Sequence, residues 1–414
     1  MTRHRRLFFL FAASVLFLLS GCDSESPPPI LEKTPPPAIM PKPRTPMKPL
    51  EEQALRYIDR EPNTPTVGLM IPLSGNMASI GESILAASML AFSELGIDTC
   101  RLRVVDTQGT PEGAREAAKE LAKAEAKIVF GPVFAQEVKA AAPIFARSHV
   151  PMVAFSNSLS VAQKNVFIFG LNPDDEISTF LAFAMTQSVR RFVAVIPESE
   201  YGEGVLHAIN VALAERQRHI FAAGSHQQAL QLGVVRYRQG ETRAEEFEQR
   251  CSALSFDAAI VLEPESETAS MLVKVLKKKQ ENALIFGLSA WKDASFAFVP
   301  EIEGAYIALP PQDGSSSFET RYRKTFGKEC DYPFCMIAFD AIVILTQIDD
   351  FSTLTPQWFA KENSFLGLAG EARFTQNGHV HRTLRVYQIK NHGIVPAQEL
   401  QTQQNAPARR EPLE

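Results

Sequence analysis

The chain of 414 residues is 45% hydrophobic and 21% charged, a balance typical of globular proteins that excludes a disordered or membrane-embedded body. It is long enough for two hydrophobic cores, because a single core stops growing near roughly 250–300 residues. A formal net charge of -5 excludes a nucleic-acid surface, which needs clustered lysine and arginine to neutralise phosphates.

The N-terminus reads as an export segment. Arg3, His4, Arg5 and Arg6 form a cationic start, and Leu7 to Leu19 is an unbroken run of apolar or small residues. That run is shorter than the roughly 20 residues a bilayer-spanning helix needs. Leu19-Ser20-Gly21-Cys22 closes it and resembles the bacterial lipobox. The resemblance implies a signal peptide over residues 1–21 and a lipid on Cys22; an ordinary export signal with an incidental cysteine is the alternative. Two or three acyl chains anchor stably, whereas one binds reversibly. Asp23 resembles the inner-membrane retention signal of enteric bacteria, with the outer membrane as the other possibility, so the expected location is the cell envelope on the periplasmic side. Residues 22–65 form a lipidated linker rich in proline, with Pro27-Pro28-Pro29 and Pro35-Pro36-Pro37. Such a stretch favours polyproline II at about 3.1 Å per residue, a semi-rigid stalk.

From Thr66 onward short β-rich runs alternate with amphipathic stretches, the signature of a parallel α/β sheet. Strands are predicted at Val67–Leu73, Leu102–Asp106, Ile128–Phe130, Met152–Ser156, Phe192–Ile196, Ala258–Leu262 and Leu284–Leu288. Helices are predicted at Gly81–Leu95, Glu112–Ala124, Glu137–His149, Glu176–Ser188, Gly202–Arg216, Glu241–Leu254 and Glu267–Lys279. Thr110-Pro111-Glu112 places a capping hydroxyl, an N1 proline and an acidic first turn in order. Phe334–Ile348 reads as a long apolar helix, and Glu371–Phe374 with Arg385–Ile389 as a late hairpin around Gln376-Asn377-Gly378-His379.

The βα series runs twice, once to about residue 172 and again from about Phe180, which predicts two similar lobes. The expected division is lobe 1 at 66–175 and 303–348, lobe 2 at 176–302 and 349–396, and a disordered tail at 397–414. Cys330 and Cys335 are the expected disulfide pair, because Asp331-Tyr332-Pro333-Phe334 between them reads as a turn in a compartment that permits oxidation.

In this order and spacing the residues resemble a known family. The markers are Val67-Gly68-Leu69-Met70-Ile71-Pro72-Leu73-Ser74-Gly75, Gly81, Asp106-Thr107-Gln108, Val129-Phe130-Gly131-Pro132, Val150-Pro151-Met152, Glu200-Tyr201-Gly202-Glu203-Gly204 and Phe256-Asp257-Ala258. The stretch from Thr66 to Pro396 is similar to the substrate-binding proteins of leucine/isoleucine/valine type. The resemblance implies the type I periplasmic-binding fold: two Rossmann-like α/β lobes with parallel sheets, joined by a multi-strand hinge. It also implies a small polar ligand, such as an amino acid, and an ABC permease as partner. Two further segments, Gly170-Leu171-Asn172-Pro173-Asp174-Asp175-Glu176 and Gly287-Leu288-Ser289-Ala290-Trp291-Lys292-Asp293, resemble penicillin-binding-protein activator lipoproteins, whose C-terminal domain shares that fold. They imply a peptidoglycan synthase as the alternative partner, although the helical-repeat domain of enteric activators is not present in this sequence.

The ligand site of such a fold lies beyond the C-terminal strand ends, where helix N-termini offer N–H donors to anions. Ser74 and Gly75 follow the first strand, Pro132 and Val133 a later one, and Phe155, Ser156 and Asn157 another. Their strand-end position puts Ser74 and Gly75 either on the ligand or in a plain βα turn, and the resemblance places the other two loops on the ligand. Ser156 and Ser158 equally suit capping of the next helix, and the 131–135 loop has no hydroxyl where amino-acid binders generally carry one. Tyr201 either closes over the ligand or packs on its own lobe. Glu263 and Glu265 either answer a ligand ammonium or stand in solvent.

Enzyme and cofactor readings are weaker. The Gly75–Gly81 segment lacks the lysine of a phosphate loop, and no G-x-S-x-G or H-E-x-x-H motif is present. His379-Val380-His381 offers two imidazoles without a third ligand, and Asp174-Asp175-Glu176 reads as an acidic helix start. We therefore expect a binding protein with no catalytic residues, no metal and no cofactor.

Overall fold

Thr66–Ile71 (β1) is buried along its whole length, the condition of a central strand in a parallel sheet covered on both faces. The computed structural model describes residues 64–222, 229–292, 295–296, 298–312, 315–359 and 364–397. The export segment, Cys22, Asp23, the proline run and the tail beyond Ala397 lie outside the described residues.

The first lobe alternates as predicted. After β1 come α1 (Ala78–Leu95), β2 (Arg101–Asp106), α2 (Pro111–Lys123), β3 (Ile128–Phe130), α3 (Ala135–Arg147), β4 (Met152–Ala154) and β5 (Val166–Ile168). The five strands are parallel in the order β2-β1-β3-β4-β5. The Thr110 hydroxyl accepts from the Gly113 N–H at 3.0 Å, so α2 starts where its sequence said. Gly81, in the first turn of α1, lies so close to the end of β1 that an added Cβ would sit 1.9 Å from the Pro72 carbonyl oxygen. No larger residue fits.

The second lobe repeats the plan with α4 (Pro173–Thr186), β6 (Arg191–Pro197), α5 (Glu200–Ala222), β7 (Gln231–Tyr237), α6 (Ala244–Cys251), β8 (Ala258–Val261), α7 (Ser266–Lys279), β9 (Leu284–Phe286) and β10 (Tyr306–Leu309). Gly202 in α5 plays the part of Gly81, with an added Cβ 2.1 Å from the Pro197 carbonyl oxygen. The duplication read from the sequence is thus repeated in atomic detail.

The return path differs from expectation. β10 was placed in the first lobe by the 303–348 boundary, but it pairs with β9 and with β14 (Arg385–Lys390). It therefore belongs to a seven-stranded sheet ordered β15-β14-β10-β9-β8-β6-β7, with β15 at Gly393–Pro396. Ile307 and Leu309 supply the reason, since both are buried in the second core. The chain then re-enters the first lobe through α8 (Ser315–Phe326) and α9 (Phe334–Val343). α9 is the predicted apolar helix, shortened by a 3-10 turn at Ile344–Gln347, and it packs along α1.

After the short α10 (Pro356–Phe359), a small antiparallel sheet follows: β11 (Ser364–Gly367), β12 (Gly370–Phe374) and β13 (Val380–Arg382). The 349–396 boundary assigned it to the second lobe. Phe365, Ala372, Phe374 and Val380 instead bury into the first core, where Phe374 meets Phe167, Phe169, Phe359 and Phe365. The late hairpin keeps its predicted turn but changes partner. β12 pairs with β13, while β14 runs on into the other lobe.

Candidate functional site

Both sheets reverse their winding at one strand. In the first, β1 lies between β2 and β3; in the second, β6 lies between β7 and β8. The loops leaving such strands diverge and open a crevice at the C-terminal edge. Ser74-Gly75 and Gly131–Phe134 leave β1 and β3, and Glu198–Tyr201 and Glu263–Glu265 leave β6 and β8. The sequence-predicted candidates therefore sit at the two switch points, with the 155–157 loop following β4.

Within the first lobe, several candidate side chains are engaged by their own loops. The Ser74 hydroxyl donates to Asp106 Oδ2 at 2.6 Å, and Asp106 Oδ1 also accepts the N–H groups of Leu73 and Gln108 at 2.8 and 2.7 Å. Burial alone would raise the Asp106 carboxyl, but the bonds from Ser74, Gln108 and Leu73 outweigh it and hold the pKa below the ordinary value. Gly75 has φ 78°, a left-handed conformation that brings its loop toward the start of α1. Pro132 and Val133 are buried, and Pro132 accepts the Phe155 N–H at 2.9 Å. Phe155 is itself part of the first core. Ser156 is buried with its hydroxyl accepting the Ser158 N–H at 3.2 Å, whereas Asn157 is exposed.

Among the described residues two fully buried carboxylates have an oxygen without a hydrogen-bond partner, Glu137 in the first lobe and Glu263 in the second, and Glu263 is the one at a predicted site position. Glu263 is 0% exposed, its Oε1 accepts from Gln239 Nε2 at 3.1 Å and from the Glu265 N–H at 2.6 Å, and its Oε2 has no partner. Burial raises its pKa, partly offset by the Glu265 N–H and by the Tyr237 hydroxyl, which lies close enough to the carboxylate to stabilise its charge although its hydrogen-bond geometry is directed at the Leu262 carbonyl. The Tyr237 hydroxyl donates to the Leu262 carbonyl at 3.0 Å, and Trp291 Nε1 donates to the Glu263 carbonyl at 2.7 Å. A buried carboxylate oxygen without a donor is costly, which is why such groups mark ligand contacts. Tyr201 is 38% exposed at the start of α5. Its hydroxyl pKa is raised by burial and then by the Glu176 charge.

Sequence reasoning missed the polar hinge. The chain crosses between lobes at Phe169–Asn172, after Leu309 and at Thr383-Leu384. Asn172 Nδ2 donates to the Val380 carbonyl at 2.9 Å, and Asp175 accepts the Arg382 N–H at 2.7 Å while facing His381 Nδ1 at 2.9 Å. The Arg382 guanidinium lies 4.4 Å over the Phe169 ring and 3.2 Å from Asp340 Oδ2, with both charges fully buried. Burial disfavours both, raising Asp340 and lowering Arg382, and their mutual attraction opposes it. His381, which lacked a third ligand for a metal site, thus pairs with Asp175 beside the crossing between the lobes. Cys330 and Cys335 form a disulfide with Cα atoms 6.0 Å apart.

Comparison with known proteins identifies this geometry. Residues 64–229 match the profile described as "Periplasmic binding protein". None of the curated proteins compared matches the chain by sequence. Among solved structures, a leucine-binding protein from Thermotoga maritima is 18% identical and superposes with a TM-score of 0.61 over 81% of this chain and 98% of its own. The C-domain of LpoA from Haemophilus influenzae, a regulator of PBP1A, is 19% identical, with a TM-score of 0.59 over 80% and 99%. A solute-binding protein of an ABC transporter from Rhodopseudomonas palustris, in complex with 3,4-dihydroxybenzoic acid, is 16% identical, with a TM-score of 0.59 over 79% and 93%. At these identities the likeness is one of fold. Residues 64–229, less than half of the chain, are thus similar to the periplasmic binding protein family, and the described body shares the fold of these solved structures.

Proposed function

We propose that this protein is the substrate-binding component of an ABC importer, lipid-anchored through Cys22 and facing the periplasm, and that its solute carries an ammonium group, as an amino acid does. The observation that carries the reading is Glu263, a fully buried carboxylate at the switch point of the second lobe with one oxygen unpaired. An ammonium donor satisfies that oxygen and restores the charge balance that burial disturbs. The solute carboxylate meets the first lobe. There the hydroxyls of Ser74 and Ser156 are already engaged, so backbone N–H groups near Gly75 and Asn157 supply the donors. Tyr201 closes over the bound solute. A leucine-binding protein and a dihydroxybenzoate-bound protein share the fold, and the unpaired Glu263 oxygen favours the amino acid over the aromatic acid. Thermal-shift screening against both classes tests this: stabilisation by an amino acid supports it, and stabilisation by hydroxybenzoates alone overturns it.

A second reading has its own observation. The two activator-like segments are joined face to face through Glu176 and Ser289, and the fold is shared with a regulator of PBP1A. In this reading the protein contacts a peptidoglycan synthase. Affinity capture from solubilised membranes separates the two, since a permease co-purifies under the first and a synthase under the second. The anchor is tested by mass spectrometry of the mature N-terminus, with Asp23 favouring inner-membrane residence.

A further inference from the structure

We propose that Lys292, Glu319 and Tyr332 form a clamp between the lobes that sets their closure angle with the chain's own side chains. Lys292 ends the 3-10 turn after β9 and belongs to the second lobe. Its Nζ lies 2.9 Å from Glu319 Oε1 on α8 of the first lobe, 3.0 Å from Gln312 Oε1 on the crossing segment, and 4.3 Å from the centroid of the Tyr332 ring. The two charged side chains are only 17% and 31% exposed. A pair this sheltered is screened far less than a surface ion pair, and the aromatic face adds to its attraction for the ammonium.

Both jaws are held rigidly. Tyr332 packs against the apolar cores of both lobes, and its loop is pinned by the Cys330–Cys335 disulfide and by the Ser83 hydroxyl donating to Asp331 at 2.8 Å. Glu319 is carried on a helix whose Phe318 and Tyr322 are wholly buried in the first core. On the other side, Ser289 is fixed by Glu176, and Trp291 by its bond to the Glu263 carbonyl and its stacking on Phe296. Groups fixed in this way lose little freedom on pairing, so the contact holds an angle and does not merely follow it. Trp291 also places the clamp one residue from the segment that touches Glu263. A ligand at that carboxylate and the lobe angle are therefore coupled through a single turn.

The experiment is hydrogen–deuterium exchange on the full lipidated chain in detergent micelles, with no solute added, so its result is independent of whether a solute is found. The proposal predicts slow exchange at 288–292 and 330–334 in the wild type. It predicts at least tenfold faster exchange there in both Lys292→Met and Glu319→Gln, with the amides of β1 and β6 unchanged as proof of folding. The double reversal Lys292→Glu with Glu319→Lys recovers protection toward wild type. Wild-type exchange at these segments as fast as in Lys292→Met, or as slow in Glu319→Gln as in the wild type, overturns it.

Discussion

Glu176 accepts both donors of Ser289, the N–H at 3.0 Å and the hydroxyl at 2.8 Å, in a site where both residues are buried. The bond ties the first turn of α4, just past the hinge crossing, to the turn that carries Trp291 and Lys292. It explains why two segments more than a hundred residues apart share one resemblance: they are two sides of one contact.

Burial pushes the Glu176 carboxyl up to about 7 from 4.5, with the two Ser289 bonds opposing the rise. A folded pKa above the unfolded one means stability that is complete below pH 4.5 and is lost as pH rises through 7. The displacement corresponds to roughly 3 kcal/mol. Urea unfolding of Glu176→Gln between pH 4.5 and 8 is expected to lose most of that slope relative to wild type.

The Asp340–Arg382 pair is expected to be costly to break from either side. Arg382 also donates to the Phe169 and Ala369 carbonyls, and Asp340 accepts the Leu368 and Ala369 N–H groups. Arg382→Met leaves a buried carboxylate uncompensated, a change that costs about 3–5 kcal/mol in such sites. The double variant Arg382→Met with Asp340→Leu is expected to recover part of the loss, as measured by chemical denaturation.

The pKa values of His379 and His381 are displaced in opposite directions. The Asp175 hydrogen bond raises His381, so the stabilisation from that pair is complete below about pH 6.5 and is lost as pH rises through the raised value. Burial lowers His379, whose contribution is present above that pH and is lost as pH falls through the lowered value. NMR titration of the individual imidazoles is expected to order them His381 above His379, and Asp175→Asn is expected to bring His381 down.

What was legible in the sequence is what burial dictates locally. β1, β3, β4, β6 and β8 are apolar runs buried along nearly their whole lengths, and Gly or Pro follows β1, β3 and β8. β7 escaped notice because Gln231–Tyr237 is an edge strand, polar where it faces solvent. The lobe boundaries in the return path depended on which core Ile307 or Phe374 would enter, and either sheet offered an apolar face. Glu263 could be placed at a strand end but not shown to be buried. The clamp and the Asp340–Arg382 pair join residues 27 and 42 apart, and no local pattern announces a partner at that distance.

Under the proposed function a solute's ammonium group meets Glu263 between the lobes. Isothermal titration calorimetry of the purified protein with the amino acid that stabilises it most, in wild type and in Glu263→Gln, tests this directly. The account predicts a single-site isotherm in wild type and at least a hundredfold weaker binding in the variant, whose circular dichroism is unchanged. Equal affinity in the two proteins contradicts it.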